Sequence, residues 1–223
     1  MDGTIVDTEP FWMSAETQLV TSFGGTWSHE QALTLVGQGL DHSARVLQAN
    51  GVPMSEDAII DHLTELVAHR VRTEGMPWRP GARELLIQLR EAGIPTALVT
   101  MSIRKLATVV DDAIDFTAFD FIVAGDEVEH SKPHPAAYLR AAELLGVDPH
   151  DCVAIEDSGP GVKAATASGA ATIGVPLHVE LPKNGRYVVW PTLAGRTVAD
   201  LSEVLAESKR AAAAEAEASG ATA

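Results

Sequence analysis

The sequence has few of the features that mark a disulfide-rich, membrane-spanning or nucleic-acid-binding protein. Cys152 is the single cysteine among 223 residues, which excludes an internal disulfide framework and a cysteine-based zinc site. The longest uncharged run, residues 164–179, is short and is broken by Gly169, Gly174 and Pro176, so it does not suit a membrane span. Cations are also scarce: 16 Lys and Arg against 31 Asp and Glu give a net charge of −15. Nucleic acids and anionic membranes bind clustered cations, so neither is expected as a partner.

Other missing features indicate the compartment of the protein and exclude one class of ligand-binding motif. The N-terminal residues include several acids where a signal peptide would be cationic and then apolar, so with the lone cysteine we expect a cytoplasmic protein. The sequence 37–39, Gly-Gln-Gly, lacks the third glycine and the preceding strand of a dinucleotide-binding motif. We expect it instead to be a loop that faces the active site. Nothing in the sequence demands an oligomer, so a monomer is the expected state.

Four continuous apolar runs predict buried parallel strands: residues 95–100, 121–124, 152–155 and 171–175. Helical patterns alternate with them, which predicts an α/β fold with a doubly wound, mostly parallel, Rossmann-like sheet. Residues 11–75 show helical periodicity and no convincing strand. We therefore predict an α/β core of residues 1–10 and 76–207, with a small α-helical cap, residues 11–75, inserted near its start. Residues 208–223 are rich in alanine and are expected to fray.

Polar side chains follow the predicted strands at their carboxyl ends, where doubly wound sheets bind ligands. Carboxylates are ligands that Mg²⁺ prefers, and a hydroxyl, a backbone N–H or a lysine can each hold a phosphoryl oxygen. Each motif alone has an ordinary structural explanation, such as a turn, a strand end or a helix start. The ordered set nevertheless predicts a phosphoryl-transfer site that uses Mg²⁺. Its members are Asp2, Thr100, Met101, Ser102, Lys132, Glu156 and Asp157.

This set of motifs resembles the haloacid dehalogenase-like superfamily, in particular its phosphatases with a small helical cap, the relatives of β-phosphoglucomutase and phosphoglycolate phosphatase. The resemblance covers about residues 1–207. It implies that Asp2 is the general acid and base and binds Mg²⁺ through its backbone carbonyl. It implies that Thr100, with Met101 and Ser102, binds the phosphoryl group of the substrate, and that Lys132 stabilises the nucleophile and the phosphoryl charge. Asp157, assisted by Glu156, is implied to hold Mg²⁺.

The sequence departs from this family at one position. The family's nucleophile is the first Asp of Asp-x-Asp-Gly-Thr, which would fall immediately before Met1. The apolar strand that carries this Asp, and that lies in the middle of the sheet in this fold, is also absent from residues 1–223. Our hypothesis is that the true start lies upstream. We expect residues 1–223 by themselves to have little or no phosphatase activity.

The leading functional hypothesis is therefore a Mg²⁺-dependent hydrolase of a small phosphorylated metabolite, with sugar phosphates as candidates, acting through an aspartyl-phosphate. Two alternatives stay open. One is a non-catalytic protein that binds phosphate or a partner, which the absent nucleophile would explain. The other is a sugar-phosphate mutase, although the His near Trp12 and the Arg near Leu40 that such mutases carry are not present.

Overall fold

The computed structural model describes residues 1–183 and 185–220. Its strands are β1 (Ala97–Val99), β2 (Phe121–Val123), β3 (Val153–Glu156), β4 (Ala171–Gly174) and β5 (Val188–Val189). Its helices are α1 (Glu9–Ser22), α2 (His29–Leu33), α3 (Leu40–Ala49), α4 (Glu56–Glu74), α5 (Ala82–Glu91), α6 (Arg104–Asp112), α7 (Ala136–Leu145), α8 (Gly159–Ser168) and α9 (Val198–Gly220). Two short 3₁₀ helices, Gly125–Glu127 and Pro149–Asp151, precede α7 and β3 respectively.

The four apolar runs all form strands, and every ladder between them is parallel, which confirms the predicted α/β architecture. Gly146 and Gly169 end α7 and α8 in the left-handed region of backbone space, with φ values of 69° and 95°, where a residue without Cβ is favoured. The sequence analysis did not predict β5. It is only two residues long and exposed, so it lacks the continuous buried run that marked the other strands.

The sheet is divided into two halves. β1 pairs with β2, and β3 pairs with β4, which in turn pairs with β5; no ladder joins β1 to β3 within residues 1–183 and 185–220. Between the two halves lies a cavity of about 350 Å³, lined by residues of β1, β3, α5 and α9, with Met1 at its wall. We call this cavity the central slot. A strand paired on one side leaves a row of backbone groups unpaired on the other, so the slot is bordered by two open strand edges.

Helices α1 to α4 occupy residues 9–74 and pack on one another, α1 and α3 each against the long helix α4. Trp12, Leu19 and Leu63 are buried between them. α4 also packs on α6 of the α/β part, and Lys105 of α6 forms an ion pair with Glu65 of α4. These helices therefore cover the α/β part as a cap. The exact boundaries at residues 10–11 and 75–76 stay a prediction.

The last helix, α9, continues through the alanine-rich segment as far as Gly220, and residues 211–217 are exposed along it. The fraying expected of residues 208–223 stays a prediction, and residues 221–223 lie outside the described residues. Among the helices of the described ranges, none is both long and apolar enough to cross a membrane.

Candidate active site

The first eight residues form a tight loop at one end of the central slot. The N–H of Gly3 donates to the carbonyl of Val6 at 2.8 Å, and the N–H of Ile5 donates to that of Met1 at 3.0 Å. Gly3 has a φ of 69°, and a Cβ at this position would lie 2.0 Å from a carboxylate oxygen of Asp157. Glycine is therefore required here both by the backbone conformation and by the close approach of Asp157.

The buried guanidinium of Arg79 holds this loop against the half of the sheet that contains β4. Arg79 donates hydrogen bonds to the carbonyl of Gly3, to that of Val175 at 2.6 Å and to that of Pro176 at 3.2 Å. Burial lowers the pKa of Arg79, and the charge of Asp157 opposes that shift. Arg79 was not predicted as part of the site, since an Arg between Trp78 and Pro80 gives no sign that its side chain reaches the end of β4.

Asp2 lies in this loop with both carboxylate oxygens hydrogen-bonded. The hydroxyl of Thr8 donates to Oδ1, and the hydroxyl of Ser102 donates to Oδ2 at 2.8 Å. Ser102 is itself oriented by its backbone N–H, which donates to the hydroxyl of Thr100 at 3.1 Å. The half-buried carboxyl of Asp2 is thus fixed next to the residues predicted to bind the phosphoryl group, which suits a group that transfers a proton.

Lys132 and Glu156 form a buried ion pair beside this loop. The Lys132 Nζ lies 2.5 Å from the Glu156 Oε1, and the hydroxyl of Tyr138 donates to the same oxygen. Burial by itself would raise the pKa of Glu156, but the charge and hydrogen bond of Lys132 outweigh it and lower that pKa. Lys132 also donates to the carbonyl of Val99 at 3.3 Å, which ties the pair to the end of β1. Tyr138 was missed because its partner is 18 residues away along the chain.

Asp157 follows Glu156 and is held by Thr4, whose hydroxyl donates to Oδ1 at 2.8 Å. Burial, followed by the charge of Glu156, raises the pKa of Asp157 to about 6.

The oxygen donors near this loop suit Mg²⁺ chemically. Asp2 and Asp157 each present carboxylate oxygens, whereas Glu156 is already bound to Lys132 and Tyr138. Across the described ranges, no three His, Cys, Asp or Glu side chains are grouped as a metal site would need. The metal-binding roles of Asp2, Glu156 and Asp157 therefore stay predictions.

Residues of the helical cap form one wall of the pocket. Glu9, Trp12 and Glu16 of α1 line the pocket, as do Gly37 and Gln38 of the loop before α3. The pocket has a volume of about 100 Å³. That is the space of roughly three water molecules. The expectation that the loop at residues 37–39 faces the site is confirmed.

Two carboxyl groups of the cap wall have strongly shifted pKa values. Burial, then the charge of Asp2, raises the pKa of Glu9 to about 8. Burial raises the pKa of Glu16 to about 7, although the indole N–H of Trp27 donates to its Oε2 at 3.1 Å and opposes that shift. The sequence analysis did not select these acids. Their i, i+3 and i+7 spacing with Trp12 would have placed them on one face of a helix.

The pocket brings together every residue that the sequence analysis predicted for the site. They are Asp2, Thr100, Met101, Ser102, Lys132, Glu156 and Asp157. Two of the motifs lie at the carboxyl ends of parallel strands, because β1 leads to Thr100 and β3 ends at Glu156. The individual catalytic and binding roles stay predictions.

A pocket of acids, hydroxyls and one lysine at the carboxyl ends of parallel strands, closed by a helical cap, defines a capped α/β hydrolase. The chain belongs to the haloacid dehalogenase-like hydrolases, because the model of that family matches residues 1–169. The resemblance inferred from the motifs is thereby confirmed.

Individual relatives share this architecture along nearly the whole chain. Hexitol phosphatase B of Escherichia coli is 32% identical over 215 residues, which cover 93% of this chain and 92% of that protein. The phosphorylated carbohydrates phosphatase of Thermotoga maritima is 30% identical, and the match covers 80% of this chain and 83% of that protein. The structure of a CbbY mutant from Rhodobacter sphaeroides with xylulose 1,5-bisphosphate superposes with a TM-score of 0.81 at 26% identity, covering 90% of this chain and 96% of that one.

Proposed function

We propose that this protein is a Mg²⁺-dependent phosphatase that hydrolyses a phosphate monoester of a sugar or a sugar alcohol. The observation that carries the proposal is the convergence of Asp2, Thr100, Lys132 and Asp157 in one pocket beneath a helical cap. The similarity to hexitol phosphatase B and to the phosphorylated carbohydrates phosphatase supports the substrate class.

Each of these residues has its own proposed role in the reaction. The hydroxyl of Thr100 and the ammonium of Lys132 bind oxygens of the phosphoryl group, whose charge Lys132 partly neutralises. Asp2 donates a proton to the leaving alkoxide and afterwards removes one from the water that completes hydrolysis. Mg²⁺, held by Asp157 and by oxygens of Asp2, would supply positive charge that offsets the repulsion between these carboxylates and the phosphoryl group.

The covalent step of the proposal needs a carboxylate nucleophile, and the central slot indicates where it belongs. The slot separates β1 from β3, and Met1 lies at its end beside the site residues. A strand inserted there would pair with both open edges and would deliver the residue before Met1 to the pocket. We propose that an Asp at that position attacks phosphorus and forms an aspartyl-phosphate as the phosphorus–alkoxide bond breaks. Water then displaces the carboxylate and releases phosphate.

The test uses two proteins in which a five-residue apolar segment is joined to Met1. In one protein this segment ends in Asp, and in the other it ends in Asn. Hydrolysis of p-nitrophenyl phosphate is measured with Mg²⁺ and with EDTA. We expect the Asp form to be active with Mg²⁺, and the Asn form to be slower by a factor of about 10³ or more. Residues 1–223 alone are expected to have little activity.

Robust Mg²⁺-dependent turnover by residues 1–223 alone would contradict the proposed nucleophile. A folded but inactive Asp form would instead favour a protein that binds phosphate without hydrolysing it. Cooperative thermal unfolding of each form shows that inactivity does not come from a failure to fold.

A further inference from the structure

The cap side of the pocket is acidic. The cap residues that line it are Glu9, Trp12, Glu16, Leu35, Gly37, Gln38, Leu40, Ser43 and Leu63. In the part of the chain that the structure describes, this wall therefore contributes two carboxyl groups and no Lys or Arg. In either protonation state, these groups present hydrogen-bonding oxygens and no positive charge.

Glu16 is built into this wall. It is only 5% exposed, and the indole of Trp27, which is also buried, holds its Oε2 at 3.1 Å. Within the described ranges its other oxygen, Oε1, accepts no hydrogen bond from the protein. Glu9 lies seven residues earlier on the same helix and lines the same pocket. A buried carboxyl that is oriented through one oxygen has the other available for a ligand.

The arginines of the cap lie outside this pocket. Arg45 lies 3.0 Å from Glu56, and Arg70 lies 2.8 Å from Glu74. Neither arginine lines the pocket. Lys132 does line it, but it belongs to the phosphoryl end, where it is paired with Glu156. An anionic group on the leaving part of a substrate would thus meet carboxylates without a compensating cation.

We propose that Glu9 and Glu16 select the charge of the substrate's leaving group: they accept hydrogen bonds from the hydroxyls of a neutral polyol and disfavour esters that carry a carboxylate or a second phosphoryl group there. This inference rests on the proposed function, because it describes the part of the ester that lies opposite the phosphoryl site. A carboxylate accepts several hydroxyl hydrogen bonds, whereas like charges placed together across an interface repel and weaken binding.

The experiment uses two esters of nearly equal size. Glycerol 3-phosphate ends in a hydroxymethyl group where 3-phosphoglycerate carries a carboxylate. Both are titrated calorimetrically into the 1–223 protein with Mg²⁺ at pH 9, where Glu9 and Glu16 are ionised because their pKa values are about 8 and about 7. We expect glycerol 3-phosphate to bind about tenfold more tightly or better. Glu16→Gln and Glu9→Gln should each reduce that ratio severalfold.

Glu30→Gln is the matched control, because it removes the same charge from an exposed position of the cap and should leave the ratio unchanged. If residues 1–223 alone do not fold, the same titrations are carried out on the protein whose added N-terminal segment ends in Asn. Equal affinities, a preference for 3-phosphoglycerate, or binding of neither ester would overturn the inference.

The inference and the proposed function fail separately. A protein that hydrolyses p-nitrophenyl phosphate but binds both esters equally keeps the function and loses the inference. A protein that prefers glycerol 3-phosphate but hydrolyses no ester in any form loses the function and keeps the inference.

Discussion

The burial of Glu16 makes the stability of the protein depend on pH. Its pKa is raised from 4.5 to about 7 because burial disfavours the charged form. Between these two pH values, the folded protein holds a proton that the unfolded chain has lost. The free energy of unfolding therefore decreases as the pH rises through this window and levels off above about 7. The span of 7 − 4.5 = 2.5 pH units corresponds to a loss of at most about 3 kcal/mol.

Glu16→Gln should abolish this loss, because a glutamine cannot ionise and its carbonyl can still accept the hydrogen bond from Trp27. Relative to the parent protein, the variant should gain about 1–3 kcal/mol more at pH 8 than at pH 5. Urea unfolding at the two pH values measures the difference. Glu207→Gln, at an exposed position of α9, should show no such pH dependence. An effect of Glu16→Gln that is the same at both pH values would refute the assignment of a buried, titrating carboxyl.

Between elements, the contact of the loop 37–39 with the start of α8 determines how closely the cap can approach the core. Gly37 has a φ of 74°, and a Cβ there would lie 2.9 Å from the Cβ of Ser158. Ser158 caps α8 by accepting a hydrogen bond from the N–H of Gly161 at 3.2 Å, so it is not free to move away. A side chain at position 37 would therefore strain the backbone and separate the cap from the site.

Gly37→Ala should accordingly lower kcat/KM of the active, Asp-extended enzyme by about tenfold or more, since catalysis depends on the closed arrangement. Steady-state hydrolysis of p-nitrophenyl phosphate measures the effect. Gly39→Ala is the matched control, because Gly39 lies in the same loop at a φ of −70°, and a Cβ there would meet no neighbouring atom of the described residues within 4 Å. Equal kcat/KM values for both variants would show that this contact does not limit closure.

At the scale of the whole molecule, the central slot is the largest departure from a closed α/β sheet. β1 and β3 face each other across about 350 Å³ without pairing, although each forms a parallel ladder on its other side. Unpaired backbone edges and an apolar cavity both cost stability. The surrounding helices pack on both halves, and Arg79 joins the loop of Gly3 to the end of β4.

A strand joined to Met1 should therefore stabilise the fold independently of the chemistry. Both the Asp-ended and the Asn-ended extensions should raise the free energy of unfolding by several kcal/mol, because each backbone hydrogen bond contributes about 1 kcal/mol net. Urea unfolding of the three proteins tests this. An extension with proline at alternate positions is the control, since proline cannot donate to a ladder. Equal stability of the Asn-ended and proline-containing forms would show that no strand enters the slot.

The sequence by itself determined the four buried strands, the helical character of residues 11–75 and the gathering of Asp2, Thr100, Lys132 and Asp157. These features depend on local apolar patterns and on the rule that parallel strands end at one edge of a sheet. The open position in the middle of the sheet was anticipated in another way, from the resemblance of the motif at Asp2 to the haloacid dehalogenase-like family.

Only the tertiary structure decided which groups complete the site. Arg79 reaches Gly3 across 76 positions, Thr4 holds Asp157 across 153, and Tyr138 donates to Glu156 across 18. No local pattern encodes such pairs, because each depends on how distant segments pack. The raised pKa of Glu16 arises in the same way, since the burial that shifts it exists only once the cap helices enclose its side chain.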